Sequence, residues 1–277
     1  MNIKSVAKDL LPPVFIKWAK GIHDSNNVRQ YDNYSEALAD SSVNGYEASD
    51  VVKVVICKNK IFADKLHQEN VLDLGSLRTM IGVGLCRENS LRVLDFGGGG
   101  GYHYQIAKMA FGNDIDLHWC VVETPSMAQE AERQLASSRL RFASSLDEAK
   151  TILGEVNLIF SSGTLHCTDD PLKYLAKLLS LEAKKIFLTR TSFSEDHKRM
   201  IFLQKSRLSH NGPGALPQGF QDADIFYPNV FVPISEVKDL ILRSGYTIRL
   251  EINEDSDVYK FGENTFSMYG FLCEKCK

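Results

Sequence analysis

A short apolar run followed by alternating glycines is the part of this sequence whose residue types are best suited to chemistry. Residues 91–96 (LRVLDF) contain Asp95 near their end, and Gly97, Gly99 and Gly101 follow. Because glycine has no Cβ, the chain can turn tightly there and a ligand can approach the backbone closely. A strand that leads into such a turn and then a helix opens the nucleotide site of Rossmann-like sheets. We therefore predict a nucleotide-type cofactor, with Asp95 orienting the turn.

The spacing around the glycines narrows the class of nucleotide. A dinucleotide site needs Gly-x-Gly-x-x-Gly or Ala, and every frame of this run places Tyr102, His103 or Tyr104 at the third position. A P-loop needs Lys followed by Ser or Thr, and Tyr102 and His103 stand at those places. The remaining pattern, Asp-x-Gly-x-Gly-x-Gly after an apolar strand, resembles that of S-adenosylmethionine (SAM) methyltransferases. SAM is therefore the expected cofactor.

Three further side chains are expected to hold this cofactor. Glu123 ends the next predicted strand, 22 residues after Gly101. An acid at that place can accept hydrogen bonds from both ribose hydroxyls, and an ordinary exposed strand-end acid is the alternative. Ser144 is expected near the adenine, and Ser161, at the end of the fourth predicted strand, is expected on the cofactor as well.

Histidines are the candidates for taking a proton from a methyl acceptor. Methyl transfer is an in-line displacement, so the protein aligns donor and acceptor and, for a hydroxyl acceptor, removes a proton. His166 is the first candidate because it follows the fourth strand at the carboxyl edge of the sheet. A histidine that only braces the backbone is the alternative. His103 is the second candidate, and His197 and His210 lie where substrate is expected.

The composition describes an ordinary globular chain with a large core. Its 277 residues are 44% hydrophobic and 24% charged, with a net charge of −3. Without a basic excess, nucleic acid is not an expected partner. Six dispersed cysteines indicate reduced thiols and a cytoplasmic protein. Cys273 and Cys276 form a CxxC without a second ligand pair, so no metal site is expected.

The first residues bear on membrane contact. Pro12 and Pro13 interrupt the apolar residues of 1–21, so this segment lacks the core of a signal peptide, and no run of transmembrane length follows. Its lysines allow weak contact of an N-terminal helix with a membrane surface. Packing of that helix on its own domain is the favoured alternative.

Hydrophobic periodicity predicts the elements that position these residues. Residues 1–88 have helical patterns at 34–39, 51–56 and 71–85 and no clear strand, which predicts an N-terminal helical cap. Residues 89–277 alternate strands and helices, which predicts a Rossmann-like α/β catalytic domain with a mostly parallel sheet. Strands are predicted at 91–95, 117–122, 140–143, 156–160 and 185–189, with an antiparallel closing pair at 246–252 and 266–273.

Capping residues and prolines predict where helices begin, and a stretch without periodicity predicts a loop over the site. Ser145 starts a capping box, Asp170 opens a helix with the following proline, and Ser235 is expected to cap the last helix. Residues 211–228 lack periodicity and are expected to form a mobile loop over the pocket. Tyr227 in this loop is an expected substrate contact.

Several short motifs together resemble a family of bacterial methyltransferases whose genes tend to lie in surface-polysaccharide clusters. The motifs are 11–13 (LPP), 31–38 (YDNYSEAL), 45–46 (GY), 93–98 (VLDFGG), 121–123 (VVE), 160–162 (FSS) and 190–191 (RT). The resemblance implies a SAM-dependent enzyme that O-methylates a sugar or a related small acceptor during assembly of lipopolysaccharide or capsule. The family often has an acid before its Arg-Thr pair, where this chain has Thr189, and its glycine turn is less rich.

Arg190 of that pair is a candidate to hold a hydroxyl or phosphate of the acceptor. A buried arginine that bridges the fifth strand to a neighbouring loop is the alternative. The acceptor, the methylated atom and the oligomeric state are left open.

Two other functions share parts of the pattern. An NAD-dependent sugar oxidoreductase or epimerase has the same sheet and strand-end acid, but the glycine spacing opposes it. Its Tyr-x-x-x-Lys pair is also absent, since Cys273 stands four residues after Tyr269. A binding or scaffolding protein that kept the SAM fold without turnover would retain both the acid and the glycines.

Overall fold

Apolar runs become strands and amphipathic segments become helices in the computed structural model, which describes residues 29–41, 45–69, 71–112, 114–254, 259–261 and 263–276. The described strands are β1 (Arg29–Tyr31), β2 (Ser90–Phe96), β3 (Asp116–Val122), β4 (Leu140–Ala143), β5 (Leu158–Ser162), β6 (Lys185–Ser194), β7 (Met200–Arg207), β8 (Asp224–Phe231), β9 (Tyr246–Asn253), β10 (Tyr259–Phe261) and β11 (Asn264–Lys275). The described helices are α1 (Tyr34–Ala39), α2 (Ser49–Glu69), α3 (Ser76–Leu85), α4 (Tyr102–Phe111), α5 (Pro125–Leu135), α6 (Leu146–Leu153), α7 (Pro171–Leu179) and α8 (Ile234–Arg243). Short 3-10 turns lie at Gly45–Glu47, Leu165–Cys167 and Leu208–His210.

The larger sheet is mostly parallel, with antiparallel strands at one side. Its order is β10-β11-β6-β5-β2-β3-β4, and β9 also pairs with β11. The neighbours from β6 to β4 run parallel, whereas β11 runs antiparallel to β6 and β9. This confirms the predicted α/β fold class and its antiparallel closing pair. The strand order reverses between β2 and β5, and open α/β sheets bind ligands at the carboxyl ends of such strands.

Two apolar layers cover the faces of this sheet. In β2, Val93 belongs to one layer and Leu94 to the other, and both are fully buried. The layer of Leu94 includes residues of α6, α7 and α8, and that of Val93 includes residues of α2 to α5. A parallel strand buried on both faces needs apolar residues at successive positions, which explains the continuous runs in the sequence.

A second, smaller sheet was not predicted. β7 pairs antiparallel with both β1 and β8, giving the order β1-β7-β8. The expectation of no strand before residue 88 is therefore wrong, and so is that of a loop throughout 211–228, since β8 begins at Asp224. Pro228 is unusual within a strand. Among the described residues, however, β8 forms a ladder with β7 only, and such an edge strand tolerates a proline.

The predicted helices agree with the structure apart from two starts. Residues 51–56 lie inside α2, as predicted, and Ser145 accepts a hydrogen bond from the Glu148 amide at 3.2 Å to cap α6. The helix predicted from residue 71 begins at Ser76 instead, where the Asp73 carboxylate accepts the Ser76 amide at 2.9 Å. Ser235 does not cap α8, because that helix begins at Ile234 after Pro233.

The amino-terminal predictions are only partly open to inspection. Residues 1–28, with the helix expected to touch a membrane or its own domain, lie outside the described residues. In the described part of the chain no helix combines the length and apolarity that a membrane crossing requires. The division of the chain at residues 88 and 89 stays a prediction.

Candidate functional site

A cavity of about 1410 Å³ opens at the carboxyl ends of the parallel strands, where the strand order reverses. The larger sheet forms one wall and residues of β7 and β8 form the other. Seven of the side chains or turns singled out from the sequence line it: Gly97, Glu123, Ser144, His166, Arg190, His210 and Tyr227. This volume exceeds the roughly 300–1,000 Å³ of a pocket for one small molecule, so there is room for two ligands.

The glycine turn after β2 requires glycine for two separate reasons. Gly97 has a φ of +76° and Gly99 one of +57°, a region that other residues rarely adopt. A Cβ on Gly97 would also overlap the Thr164 side chain from the turn after β5. The tight turn agrees with the sequence prediction, but at Gly97 the space without a Cβ is filled by Thr164 of this chain, which the sequence did not predict.

Asp95 lies beneath this turn rather than in the cavity. It is fully buried, and its Oδ2 accepts the Trp119 indole N–H at 3.0 Å and is bonded to His103 Nδ1 at 3.0 Å. A Cβ on Gly98 would overlap the same carboxylate, so Asp95 does touch the turn that it was expected to orient.

His103 is a poor candidate for proton transfer in the cavity. Its ring is 6% exposed, packs 4.9 Å from the Phe160 ring and is held by Asp95, outside the residues that line the cavity. Gly101, at the start of α4, and Ser161 are likewise not among the lining residues. The Ser161 hydroxyl is buried and donates to the Phe96 carbonyl at 3.1 Å, so it braces β5 against β2.

Glu123 lines the cavity directly after β3, which is the position that the sequence predicted. Its Oε1 accepts the Gly99 amide at 2.9 Å, and its Oε2 accepts the Thr124 amide at 3.1 Å. Burial raises the pKa of this carboxyl, and the two amides partly oppose that shift. An ionised carboxylate has about four acceptor positions, so further donors can still bind to it.

The polar groups around Glu123 fit a nucleoside. The Thr124 side chain lines the cavity, and its buried hydroxyl oxygen has no hydrogen-bond partner among the described residues. The Oδ1 atom of Asp95, under the glycine turn, is in the same condition within that part of the chain. Ser144 lines the cavity too, with its hydroxyl donating to Glu148 at 3.1 Å. A ligand hydroxyl or amine in the cavity would supply the hydrogen bond that the Thr124 hydroxyl lacks, whereas the Asp95 oxygen lies beneath the turn and out of its reach.

His166 lies in the 3-10 turn after β5 and lines the cavity. The Ser192 amide donates to its Nδ1 at 3.4 Å, and its ring meets the Phe231 ring edge-on at 5.9 Å. Burial, and secondly the charge of Arg190, lowers the pKa of His166 to about 4. The ring is therefore neutral near pH 7, and a bond accepted at Nδ1 assigns its proton to Nε2.

An aromatic and thiol cluster lies next to His166, and of its members the sequence singled out Tyr227 as a substrate contact but missed Cys167. The Tyr46 and Tyr227 rings lie 4.6 Å apart in the cavity wall. Cys167 Sγ lies 3.4 Å from the Tyr46 hydroxyl and donates to Asn229 Oδ1 at 3.4 Å. Burial raises the pKa of the Cys167 thiol to about 11, so it stays protonated. Only the Gly45–Tyr46 pair among the family motifs gave a hint of this cluster.

The remaining candidates divide between the cavity and the surface. His210 lines the cavity from the 3-10 turn after β7, whereas His197 is not among the lining residues. Arg190 lines the cavity from the middle of β6. The six cysteines are free thiols, and the described residues contain no cluster of His, Cys, Asp and Glu arranged to hold a metal ion.

Comparisons with known proteins give distant structural likenesses only. No family model matches the chain, and no curated protein matches it. A SAM-dependent methyltransferase from Clostridium acetobutylicum is similar at a TM-score of 0.47 and 14% identity, over 80% of this chain and 100% of that one. CalS10, an amino pentose methyltransferase from Micromonospora echinaspora, is similar at 0.45 and 11%, over 76% and 95%.

The likenesses also include a protein with another chemistry. The [4+2]-cyclase SpnF is similar at a TM-score of 0.45 and 12% identity, over 73% of this chain and 80% of that one. At such scores and identities, similarity fixes neither the activity nor the substrate of this chain.

Proposed function

We propose that this chain is a SAM-dependent methyltransferase that transfers a methyl group to a hydroxyl of a sugar or related small acceptor. The observation that carries the proposal is Glu123, a half-buried carboxylate in the cavity wall, which is hydrogen-bonded to the glycine turn through the Gly99 amide at 2.9 Å. This acid and turn lie at the strand-order reversal of a mostly parallel sheet. The sequence resemblance to polysaccharide-cluster methyltransferases supports the sugar acceptor and surface-polysaccharide assembly as the setting.

Residues at the ends of β2, β3 and β4 would hold the cofactor, and we call this part of the cavity the cofactor half. Glu123 would accept hydrogen bonds from the ribose hydroxyls, the Thr124 hydroxyl would bond the nucleoside, and Ser144 would lie near the adenine. When bound, SAM supplies a methyl group on a positively charged sulfur, which makes that carbon open to attack by an oxygen.

Residues around His166 would align the methyl acceptor, and we call this part of the cavity the acceptor half. Arg190 would hold a hydroxyl or phosphate of the acceptor, and the rings of Tyr46 and Tyr227 would provide an apolar face for a sugar ring. His210 would contact the acceptor from the opposite wall. Placing the two reacting atoms in line is the main contribution that such a site makes to the rate.

His166 is the proposed catalytic residue, and its tautomer decides its role. With Nδ1 accepting from the Ser192 amide, Nε2 carries the proton and orients the acceptor oxygen by donating to it. Removal of the acceptor proton would require the other tautomer. His166→Gln separates the two roles, since a glutamine can donate through its amide but cannot take up a proton. Retained transfer indicates orientation, and lost transfer indicates a base.

Calorimetric titration with SAM, S-adenosylhomocysteine and NAD is the experiment that tests the proposal. SAM and S-adenosylhomocysteine are expected to bind and NAD is not. Glu123→Gln should weaken SAM binding by about tenfold or more, because hydrogen bonds to a charged group contribute about 1.5–3 kcal/mol. Glu236→Gln, an exposed acid in the first turn of α8, is the matched control. Binding of NAD alone would overturn the proposal in favour of an oxidoreductase.

A SAM-binding protein without turnover is the second candidate, and one observation favours it. An imidazole whose pKa is about 4 is a weak base, far from the value near neutrality that suits proton transfer. Transfer of a labelled methyl group to nucleotide sugars or lipid-linked glycans decides between the two, since only an enzyme labels an acceptor.

A further inference from the structure

Arg190 has an unusual backbone for its place in the sheet. It lies within β6, and its φ is +54°, a region that residues other than glycine rarely adopt. The pairing of β6 with β11 shifts here, because Leu188 faces Phe271 and Thr191 faces Tyr269. Thr189 and Arg190 together thus oppose the single residue Gly270, which is the arrangement of a β-bulge. Bulges redirect a side chain, and this one brings Arg190 to the cavity wall.

The Glu254 carboxylate, directly after β9, accepts two hydrogen bonds from this bulge. Its Oε1 accepts the Arg190 amide at 2.7 Å and also accepts the Thr189 hydroxyl. The side chain is 4% exposed and is not among the residues that line the cavity. Glu254 therefore touches the strand that bears Arg190 without facing the space where a ligand would bind.

The surroundings of Glu254 are built to accommodate a buried charge. Arg78 of α3 donates from Nε to Glu254 Oε2 at 2.6 Å, which balances the carboxylate. A Cβ on Gly270 would lie 2.9 Å from Glu254 Oε1 and 3.0 Å from the Leu188 carbonyl oxygen, so a larger residue there would crowd the contact. Three strands and one helix thus meet at this carboxylate.

Strand β6 links Arg190 to His166. The Ser192 amide, two residues after Arg190 on β6, donates to His166 Nδ1 at 3.4 Å, so the strand that bears Arg190 also contacts His166. Both residues line the cavity, and burial together with the charge of Arg190 lowers the pKa of His166.

We propose that Glu254 is a positioning residue, whose carboxylate fixes the β6 bulge and so holds Arg190 beside His166 to receive the acceptor. The role of Arg190 toward an acceptor rests on the proposed function, but its placement by Glu254 does not. Without this carboxylate, the Arg190 amide would lose its hydrogen-bond partner, and the left-handed φ of Arg190 would relax. Arg190 would then leave the region of His166.

Titration of His166 by NMR, with labelled histidine, tests the placement without any cofactor or acceptor. Arg190→Met removes the charge and should raise the pKa of His166 by roughly half a unit, the effect of one charge at ~10 Å in a partly aqueous surrounding. Glu254→Ala should raise it by the same amount if Arg190 moves away. The double variant should then show no larger rise than either single variant.

Arg78→Lys is the matched control, since it keeps a positive charge beside Glu254 and leaves both bonds to β6. It should leave the His166 titration unchanged. If Glu254→Ala does not fold, Glu254→Asp takes its place, because the shorter side chain withdraws the carboxylate from β6. A crystal structure of the same variant gives a second readout, in which φ of Arg190 is expected to become negative.

Two results would overturn the proposal. An unchanged His166 titration in the Glu254 variants, beside a raised one in Arg190→Met, would mean that Arg190 keeps its place without the carboxylate. An unchanged titration in Arg190→Met itself would mean that the guanidinium does not lie near His166. Neither result depends on SAM, so failure of the proposed function would be seen separately, as absent SAM binding.

Discussion

The two halves of the cavity are built in different ways. The cofactor half uses the turn after β2 and the end of β3, where Gly97, Gly99 and Glu123 follow their strands directly. The acceptor half joins Tyr46, His166, Arg190 and Tyr227 from four separate parts of the chain. A site made by strand ends leaves a local pattern in the sequence. In a site made by distant segments, single residues such as His166, Arg190 and Tyr227 can be singled out, but no spacing shows that they meet. The variants below test whether substitutions in the two halves also differ in their effects on stability and on SAM binding.

The largest effect is expected in the cofactor half, from Gly97→Ala. The left-handed φ costs an alanine about 1–2 kcal/mol, and overlap with Thr164 adds about 1–3 kcal/mol. Urea unfolding should show the loss, and SAM binding should disappear. Gly154→Ala is the control, because its φ is +73° but nothing lies within 4 Å of a Cβ there. Equal losses in both variants would show that the turn is not closely packed.

The next effect belongs to the acceptor half and depends on pH. Burial lowers the pKa of His166 from 6.5 to about 4, so the unfolded chain takes up this proton more readily than the folded one. Stability should therefore fall by about 3 kcal/mol as the pH falls from about 6.5 to about 4. His166→Gln should reduce that slope in urea unfolding at several pH values. A slope that stays the same would contradict burial of the imidazole.

A smaller effect tests the strain in the acceptor half. Arg190→Gly and Arg190→Ala both remove the guanidinium, but only glycine accepts a φ of +54° without cost. The glycine variant should be about 1 kcal/mol more stable than the alanine variant in thermal unfolding. At Lys185, which begins the same strand, the order should reverse, since glycine weakens an ordinary strand position. The same order at both positions would argue against strain.

The smallest effect separates support from binding in the cofactor half. Ser161→Ala removes the bond to the Phe96 carbonyl and should cost about 1 kcal/mol of stability while leaving SAM affinity unchanged. Ser162→Ala alters a side chain that lines the cavity and is the comparison. A loss of SAM affinity in Ser161→Ala would show that Ser161 contributes to binding the cofactor.

The sequence predicted the large sheet well because each of its strands carries its own signal. Central strands such as β2 and β5 are buried on both faces, so their apolar runs are continuous and end at glycine or acid. Glu123 was predictable for the same reason, since its position follows from the strand before it. Asp95 and Ser161 were assigned to the cofactor because the pattern marks a location but does not say which way a side chain faces.

The small sheet and the meeting of the residues of the acceptor half could not be predicted in this way. β1 is three residues long and has no alternation, and it becomes a strand only because β7 lies beside it. Tyr46, Cys167 and Tyr227 meet through tertiary contacts that no spacing records. The role of Glu254 was equally hidden, because the bulge that it holds depends on the register of β6 against β11.

The pairing of β1 with β7 also has a consequence for synthesis of the chain. Tyr31 lies opposite Ile201, so β1 leaves the ribosome long before its partner does. Strands β2 to β6 all precede β7, and their parallel pairings can form first. Closing the long loop between β1 and β7 is the entropically costly step and comes after them. A nascent chain that stops before β7 would thus carry the strand ends that line one wall of the cavity but lack the wall opposite them.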